Sequence, residues 1–249
     1  VAALIAAGII PAGLEMLDQA ASQLVEPFAN AGYDLAAAAV LLCESDGTPE
    51  EVDEEIEQMC AVLRAARATR IQVSNDEAER LRFWAGRKNA FPAAGRASPA
   101  YYCMDGTIPR KRLGEMLRTI QALENKYGLR CPNVFHAGDG NLHPLILFDD
   151  GDPDSVARAE AFGAELLERC IEIGGTITGE HGVGVEKLDQ MCSQFDPSTR
   201  AAFVAVKRAF DPAQLLNPGK VIPTLHRCAE YGRMRVSSGK LPFAELPRY

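Results

Sequence analysis

Residues 134–148 read Val134-Phe135-His136-Ala137-Gly138-Asp139-Gly140-Asn141-Leu142-His143-Pro144-Leu145-Ile146-Leu147-Phe148. Two apolar runs flank an Asp-Gly pair, a strong signal for a two-residue hairpin, because both central positions of that turn need φ > 0. With Asp139 and Gly140 as those positions, the facing pairs are Gly138/Asn141, Ala137/Leu142 and His136/His143. Directly opposed residues share a face, their Cβ atoms roughly 4.5–5.5 Å apart. The turn therefore sets two of the chain's four histidines side by side. That is the geometry of a metal pair or of an acid–base pocket.

A second segment adds to it: Gly174-Gly175-Thr176-Ile177-Thr178-Gly179-Glu180-His181-Gly182-Val183-Gly184. A short β-branched run ends in a Glu-His pair with glycine on both sides, and glycine lets the backbone turn sharply and approach closely. A carboxylate and an imidazole delivered on such a turn suit a site. The bland alternative is a set of ordinary polar residues beside turns. Two cross-strand histidines plus a glycine-bracketed Glu-His make it the weaker reading.

The rest of the chain bounds the function classes. A net charge of −8 and a pI near 5.1 argue against a phosphate-backbone partner. The basic residues are scattered along helix faces, so nucleic-acid binding is not expected. The seven cysteines are odd in number, widely spaced and without a CxxC pair, which excludes a zinc ribbon or an iron–sulfur site and reads as reduced thiols in a cytoplasmic compartment. No apolar run approaches the ~18 residues of a membrane span, and no signal peptide is written.

Helical and strand patterns alternate along the chain. Val1–Gly8 reads as the second half of a helix with no N-cap, as if cut from a longer polypeptide, which would remove the first strand of a sheet. Strands are expected at 12–17, 37–43 (buried), 70–73 and 101–104. Helices are expected at 18–31, 49–68 behind an N-cap Thr48, to Lys88 behind Ser74 or Asn75, 109–127, 152–173 and 198–210. Residues 89–108 read as loop-rich, and the proline-bearing tail after Lys220 as a surface wrap. The fold class is α+β: a ferredoxin-like antiparallel sheet with helices packed on one face, plus a C-terminal helical segment.

With the hairpin, the Gly-Glu-His turn and Phe210-Asp211-Pro212-Ala213-Gln214-Leu215-Leu216-Asn217-Pro218-Gly219-Lys220 taken together, the whole chain resembles the C-terminal, substrate-side (cap) domain of FAD-linked oxidases of the vanillyl-alcohol-oxidase type. Arg82-Phe83-Trp84-Ala85-Gly86-Arg87-Lys88-Asn89-Ala90-Phe91-Pro92 and Tyr102-Cys103-Met104-Asp105-Gly106-Thr107-Ile108-Pro109 are most similar to its bacterial glycolate-oxidising branch, as is Pro223-Thr224-Leu225-His226-Arg227-Cys228-Ala229-Glu230. The resemblance implies one domain over 1–249, oxidation of glycolate to glyoxylate, and D-lactate as the runner-up substrate. It implies a divalent metal (zinc, manganese or iron) on His136, His143 and Glu180, and His181 as general base. It also implies Arg87 as a clamp on the substrate carboxylate, Asn141 as a group that orients substrate or flavin, and Asn217 and Lys220 near the flavin.

Members with longer diacid substrates carry a Lys where this chain has Cys103, so the resemblance points to a small monocarboxylate. FAD is held in such proteins mainly by an N-terminal domain with a Gly/Ser-rich loop that is not written in these residues, so the fragment alone is expected to be inactive. Iron–sulfur partner subunits, attachment to the inner membrane only through them, and a homodimer through an exposed sheet edge complete the expectation. A metal-dependent carboxylate-binding module without redox chemistry, or turns that serve only subunit packing, are the competing readings.

Overall fold

A computed structural model describes residues 1–223 of the chain. The chain opens with helix α1 (Ala2–Ala6), strand β1 (Gly13–Asp18), α2 (Gln19–Ala29) and β2 (Ala39–Glu44). Next come α3 (Pro49–Ala65), α4 (Glu77–Lys88), α5 (Ala90–Ala97) and β3 (Ala100–Cys103). A single 3-10 turn (Arg110–Arg112) leads into α6 (Leu113–Tyr127), then β4 (Val134–Phe135) and β5 (Leu145–Phe148). The helices α7 (Pro153–Glu172), α8 (Leu188–Gln194) and α9 (Pro197–Phe210) follow. The tail read as a surface wrap lies largely outside the described residues. Among the described residues no helix is long and apolar enough to cross a membrane.

Local chemistry explains the boundaries. Asp18 ends β1 and caps α2, its Oδ1 accepting from the Ala21 N–H at 2.7 Å. Thr48 and Glu51 form a reciprocal capping box at the start of α3. The helix expected behind Ser74 or Asn75 is capped instead by Asp76, one residue on, whose Oδ1 accepts from the Glu79 N–H. Residues 89–108 are less loop-like than expected, because α5 lies within them.

Among the described residues all strand pairing is antiparallel. The ladders run β2-β1-β4 and β3-β5. Backbone hydrogen bonds from Val134 to His143, Leu145 to Pro132 and Leu147 to Arg130 join them through the hairpin. The α+β class and the antiparallel pairing are therefore as expected. Two details differ. Residues 70–73 form no ladder with any described residue, and β2 is a half-exposed edge strand rather than a buried one. A groove of about 560 Å³ lies between β2 and the 69–74 segment, lined by Leu42, Ile56, Met59, Ile71 and Trp84 among others.

Helices also cover both sheet faces, not one, and side-chain parity shows how. Met16, Phe135 and Ile146 point into the larger core against α6 and α7, and Leu14 meets α1 and α3 on that same side. Leu17, Val134, Leu145 and Leu147 point the other way, onto Ala21, Val25, Ala90 and Ala94 of α2 and α5. Successive strand residues alternate faces. Glu15, His136, His143 and Cys103 thus all belong to the α2/α5 face.

Candidate active site

The hairpin is real but its register is not the one read from the sequence. His136 pairs with Asn141 and Asn133 with Pro144, so the loop has four residues, Ala137–Gly140. The His136 carbonyl accepts from both the Asp139 and Gly140 N–H groups, and only Gly140 takes a positive φ, 78°. Asp139 does not, so the two-residue turn expected there is replaced by a longer one built on an ordinary turn. A Cβ on Gly140 would stand 2.2 Å from the Ile108 carbonyl oxygen, which makes glycine obligatory on space as well as φ. The slip is by two residues, and a two-residue slip preserves faces. His136 and His143 are therefore diagonal neighbours, with ring centroids 4.8 Å apart.

A buried carboxylate organises the other arm. Asp105, fully buried just beyond β3, accepts backbone N–H groups from Gly179 (3.1 Å), Glu180 (3.0 Å) and His181 (2.9 Å). It also accepts the Thr178 hydroxyl and the Nζ of Lys187, 3.1 Å away and 2% exposed. Burial works to raise the Asp105 pKa, but the Thr178 and backbone hydrogen bonds and the Lys187 charge outweigh it and hold the carboxyl well below the usual range. Its lone pairs fix the 178–181 loop over the sheet face. Gly179 lets Asn141 approach, since a Cβ there would meet the Asn141 amide at 2.5 Å.

The loop delivers Glu180 onto both imidazoles. Its Oε1 lies 2.9 Å from His143 Nε2, 3.5 Å from His136 Nε2 and 3.6 Å from His181 Nε2. The His181 ring stacks on His143 at 4.9 Å and stays partly exposed, as does Glu180. His143 itself is 2% exposed. Burial, then the neighbouring His136 and His181, push its pKa down to about 4, so it is neutral near pH 7. The Glu180 contact is short but misaligned for an N–H, and among the described residues neither nitrogen of His143 has a hydrogen-bond partner.

Two electron-rich atoms at 2.9 Å without a proton between them fit a cation. Atoms bound to one ion at about 2.0–2.2 Å each can have this spacing. Two imidazoles, the buried one without a hydrogen-bond partner among the described residues, and a carboxylate thus fit a divalent metal. Asp105, His143, Glu180 and His181 offer ligand atoms within 4.8 Å of one another.

On the far side of His136 sits Glu15, from the middle of β1. Its Oε1 is 2.7 Å from His136 Nδ1 and its Oε2 accepts the Arg87 Nε–H at 2.7 Å. Burial works to raise the Glu15 pKa, but His136 and Arg87 together lower it; the same Glu15 hydrogen bond raises that of His136. Nδ1–H donating to Glu15 would leave Nε2 facing Glu180 as a lone pair, the arrangement by which carboxylates orient metal-binding imidazoles. Arg87, in the last turn of α4, is 8% exposed, and its Nη2 reaches to 3.4 Å of His136 Nε2. Cys103 is half-buried at the end of β3, and its Sγ lies within 4.8 Å of ligand atoms of His143 and His181.

The structure thus gathers His136, His143, Glu180, His181, Arg87 and Asn141. Asn217 and Lys220 are exposed on a turn after α9, where the Lys220 N–H donates to the Asn217 carbonyl and Val221 to that of Gly184. Among the described residues neither of those side chains hydrogen-bonds to the cluster. Three organising residues had no role in the sequence reading. Glu15 carried a signal, a carboxylate inside the apolar run Leu14-Glu15-Met16-Leu17. Asp105 fell within the stretch 89–108 read as loop-rich, and Lys187 carried no signal at all.

Comparison with known proteins bears on this geometry. The sequence profile of the family described as "FAD linked oxidases, C-terminal domain" matches residues 1–221. The chain is 58% identical over 246 residues to "Glycolate oxidase subunit GlcD" of Escherichia coli (strain K12), covering 99% of this chain and 49% of that protein. It is 31% identical over 218 residues to "Probable D-lactate dehydrogenase, mitochondrial" of Danio rerio, covering 87% of this chain and 44% of that one. It spans about half the length of the curated relatives it matches. In structure it resembles substrate-bound p-cresol methylhydroxylase, with a TM-score of 0.63 at 18% identity over 86% of this chain and 47% of that one. At that identity the likeness concerns the fold.

Proposed function

Because this chain belongs to the FAD linked oxidases, whose C-terminal domain it matches over residues 1–221, we propose that it is the substrate-side part of a flavin-dependent 2-hydroxyacid oxidoreductase that takes glycolate to glyoxylate. Residues 1–249 make up one cap domain in this reading. The observation that carries it is the convergence of His136, His143, Glu180 and His181, with Arg87 beside them, on one sheet face.

His136, His143 and Glu180 would hold a divalent ion (zinc, manganese or iron). Such an ion, when bound, supplies a Lewis acid that lowers the pKa of a substrate hydroxyl and draws its carboxylate. FAD supplies the hydride acceptor. Arg87 has its Nε committed to Glu15 and its Nη2 at 3.4 Å from His136 Nε2, and its terminal NH2 groups keep further N–H donors to pair with a carboxylate. Glu15 holds that guanidinium and His136 in one orientation. His181, partly open to solvent beside Glu180, takes the α-hydroxyl proton on a ring nitrogen. Asn141 orients substrate from beneath Gly179, its Oδ1 buried and without a partner. Asn217 and Lys220 contact the flavin. Cys103, where diacid-oxidising members carry Lys, leaves no cation for a second carboxylate and so favours a small monocarboxylic substrate.

The Danio rerio relative favours a second substrate, D-lactate, on the same residues. A carboxylate-binding module without redox chemistry of its own is the remaining alternative. Assembly with iron–sulfur partner subunits, a cytoplasmic location with membrane attachment only through them, and self-association through the β2 edge belong to the same reading. The test uses a polypeptide carrying this chain downstream of a flavin-binding half, with dye reduction followed on glycolate and on D-lactate. Faster turnover of glycolate supports the reading, faster turnover of D-lactate replaces the substrate, and flavin that stays oxidised with both refutes the redox role.

A further inference from the structure

Cys103 closes a second donor set on the same sheet face. Its Sγ and one ring nitrogen each of His143 and His181 lie within 4.8 Å of one another. These atoms come from the end of β3, the return arm of the hairpin and the loop held by Asp105. None of them is the carboxylate oxygen or the His136 nitrogen of the site described above. His143 is buried, and among the described residues neither of its ring nitrogens has a hydrogen-bond partner, so the lone pair of the neutral ring is uncommitted. His181 is partly exposed, which leaves a route from solvent.

One thiolate and two imidazoles form a soft, nitrogen-and-sulfur set, which zinc, cadmium and cobalt(II) take in tetrahedral geometry and manganese and magnesium do not. We propose that Cys103, His143 and His181 form a thiophilic-ion site that overlaps the oxygen-and-nitrogen site and is exclusive with it, because both need His143. On binding, a sulfur–metal bond replaces the S–H bond and the thiol proton leaves to solvent. A thiophilic ion held there also engages His181, so in the reading proposed above it would block the base as well as empty the other site. The soft site stands without that reading, since its ligands need no substrate or flavin.

The experiment titrates the chain with cobalt(II), zinc and manganese(II) separately, in wild type, Cys103→Ser and Cys43→Ser, with far-ultraviolet circular dichroism as the fold control. Wild type and Cys43→Ser are expected to give a thiolate-to-cobalt charge-transfer band that Cys103→Ser lacks. Zinc affinity should fall about tenfold or more in Cys103→Ser, while manganese affinity, read by the free-ion paramagnetic resonance signal, stays within about twofold. Zinc should also displace bound manganese from wild type. No band in wild type, a band that survives Cys103→Ser, or equal loss of zinc and manganese in that variant would overturn the proposal. A cobalt–thiolate band in a chain that fails to bind manganese would support it, and would count against the His136/His143/Glu180 site instead. Should Cys103→Ser misfold, alkylation of Cys103 on the folded wild-type chain reads the same loss of the band.

Discussion

Replacing Asp105 with asparagine removes one charge and almost no volume, yet the structure predicts a large effect. Asp105 is fully buried and faces Lys187, which is 2% exposed at 3.1 Å. The variant strands an ammonium group in the interior, and breaking a buried pair from one side costs about 3–5 kcal/mol. The amide also turns an N–H toward donors at Gly179, Glu180 or His181, so the loop loses part of its anchorage. For a chain of this size that loss corresponds to a drop in Tm of about 6–20 °C.

Lys187→Met should cost less, because Asp105 keeps three backbone donors and a hydroxyl. The Asp105→Asn/Lys187→Met double variant should recover about 1–3 kcal/mol relative to the sum of the single costs. Urea unfolding of the four proteins is the assay. The sign with pH follows from the lowered carboxyl pKa: the wild-type advantage is full above the unfolded value near ~3.9 and is lost as pH falls through the folded value. Asp105→Asn within about 1 kcal/mol of wild type, or single costs that add without coupling, would refute the claim that this pair holds the loop.

Other perturbations separate the remaining roles. In a full-length flavoprotein carrying this chain, His181→Ala should lower turnover by about 10²–10⁴-fold with little change in substrate binding; wild-type turnover would remove it as the base. Arg87→Ala should instead raise KM, by an amount matching about 1.5–3 kcal/mol, and should also lower Tm because Glu15 is left buried without its cation. Manganese affinity should rise with pH through a midpoint above the ordinary imidazole value, since the Glu15 hydrogen bond raises the His136 pKa and the proton competes with the ion. Glu15→Gln should move that midpoint down while weakening affinity at high pH by about 10–100-fold, and an unmoved midpoint in isothermal titrations would exclude Glu15 as the orienting group. Gly140→Ala should lower Tm and disturb the His136 and His143 ring signals in NMR, because its Cβ has no room beneath the Ile108 carbonyl.

Much of this was legible in the sequence, for physical reasons that differ by element. Face-sharing of His136 and His143 survived a wrong register because strand side chains repeat every two residues and the slip was by two. Asp-Gly pointed to a reversal but not to its length, since a single left-handed glycine also closes a four-residue loop. The capped helices, α2 behind Asp18 and α3 behind Thr48, were written in short-range chemistry. Residues 70–73 had strand composition but form no ladder, and the pairing a strand needs is not a local property. Glu15 and Lys187 escaped for a related reason. Their meaning lies in partners 121 and 82 positions away, which no local pattern encodes.

Those separations have a consequence for synthesis. The cluster joins Glu15 to Arg87 across 72 positions and Asp105 to His181 across 76, so no contiguous stretch of the nascent chain contains it. At about 5–20 residues per second, β1 leaves the ribosome many seconds before the loop that completes the cluster. In the first part of that interval the charge of Glu15 has neither partner, since the guanidinium of Arg87 follows 72 positions later and the imidazole of His136 121 positions later. An ion held by the two imidazoles and Glu180, as proposed above, would therefore select chains whose long-range closures are already made, and its capture would report complete folding rather than the presence of any single element.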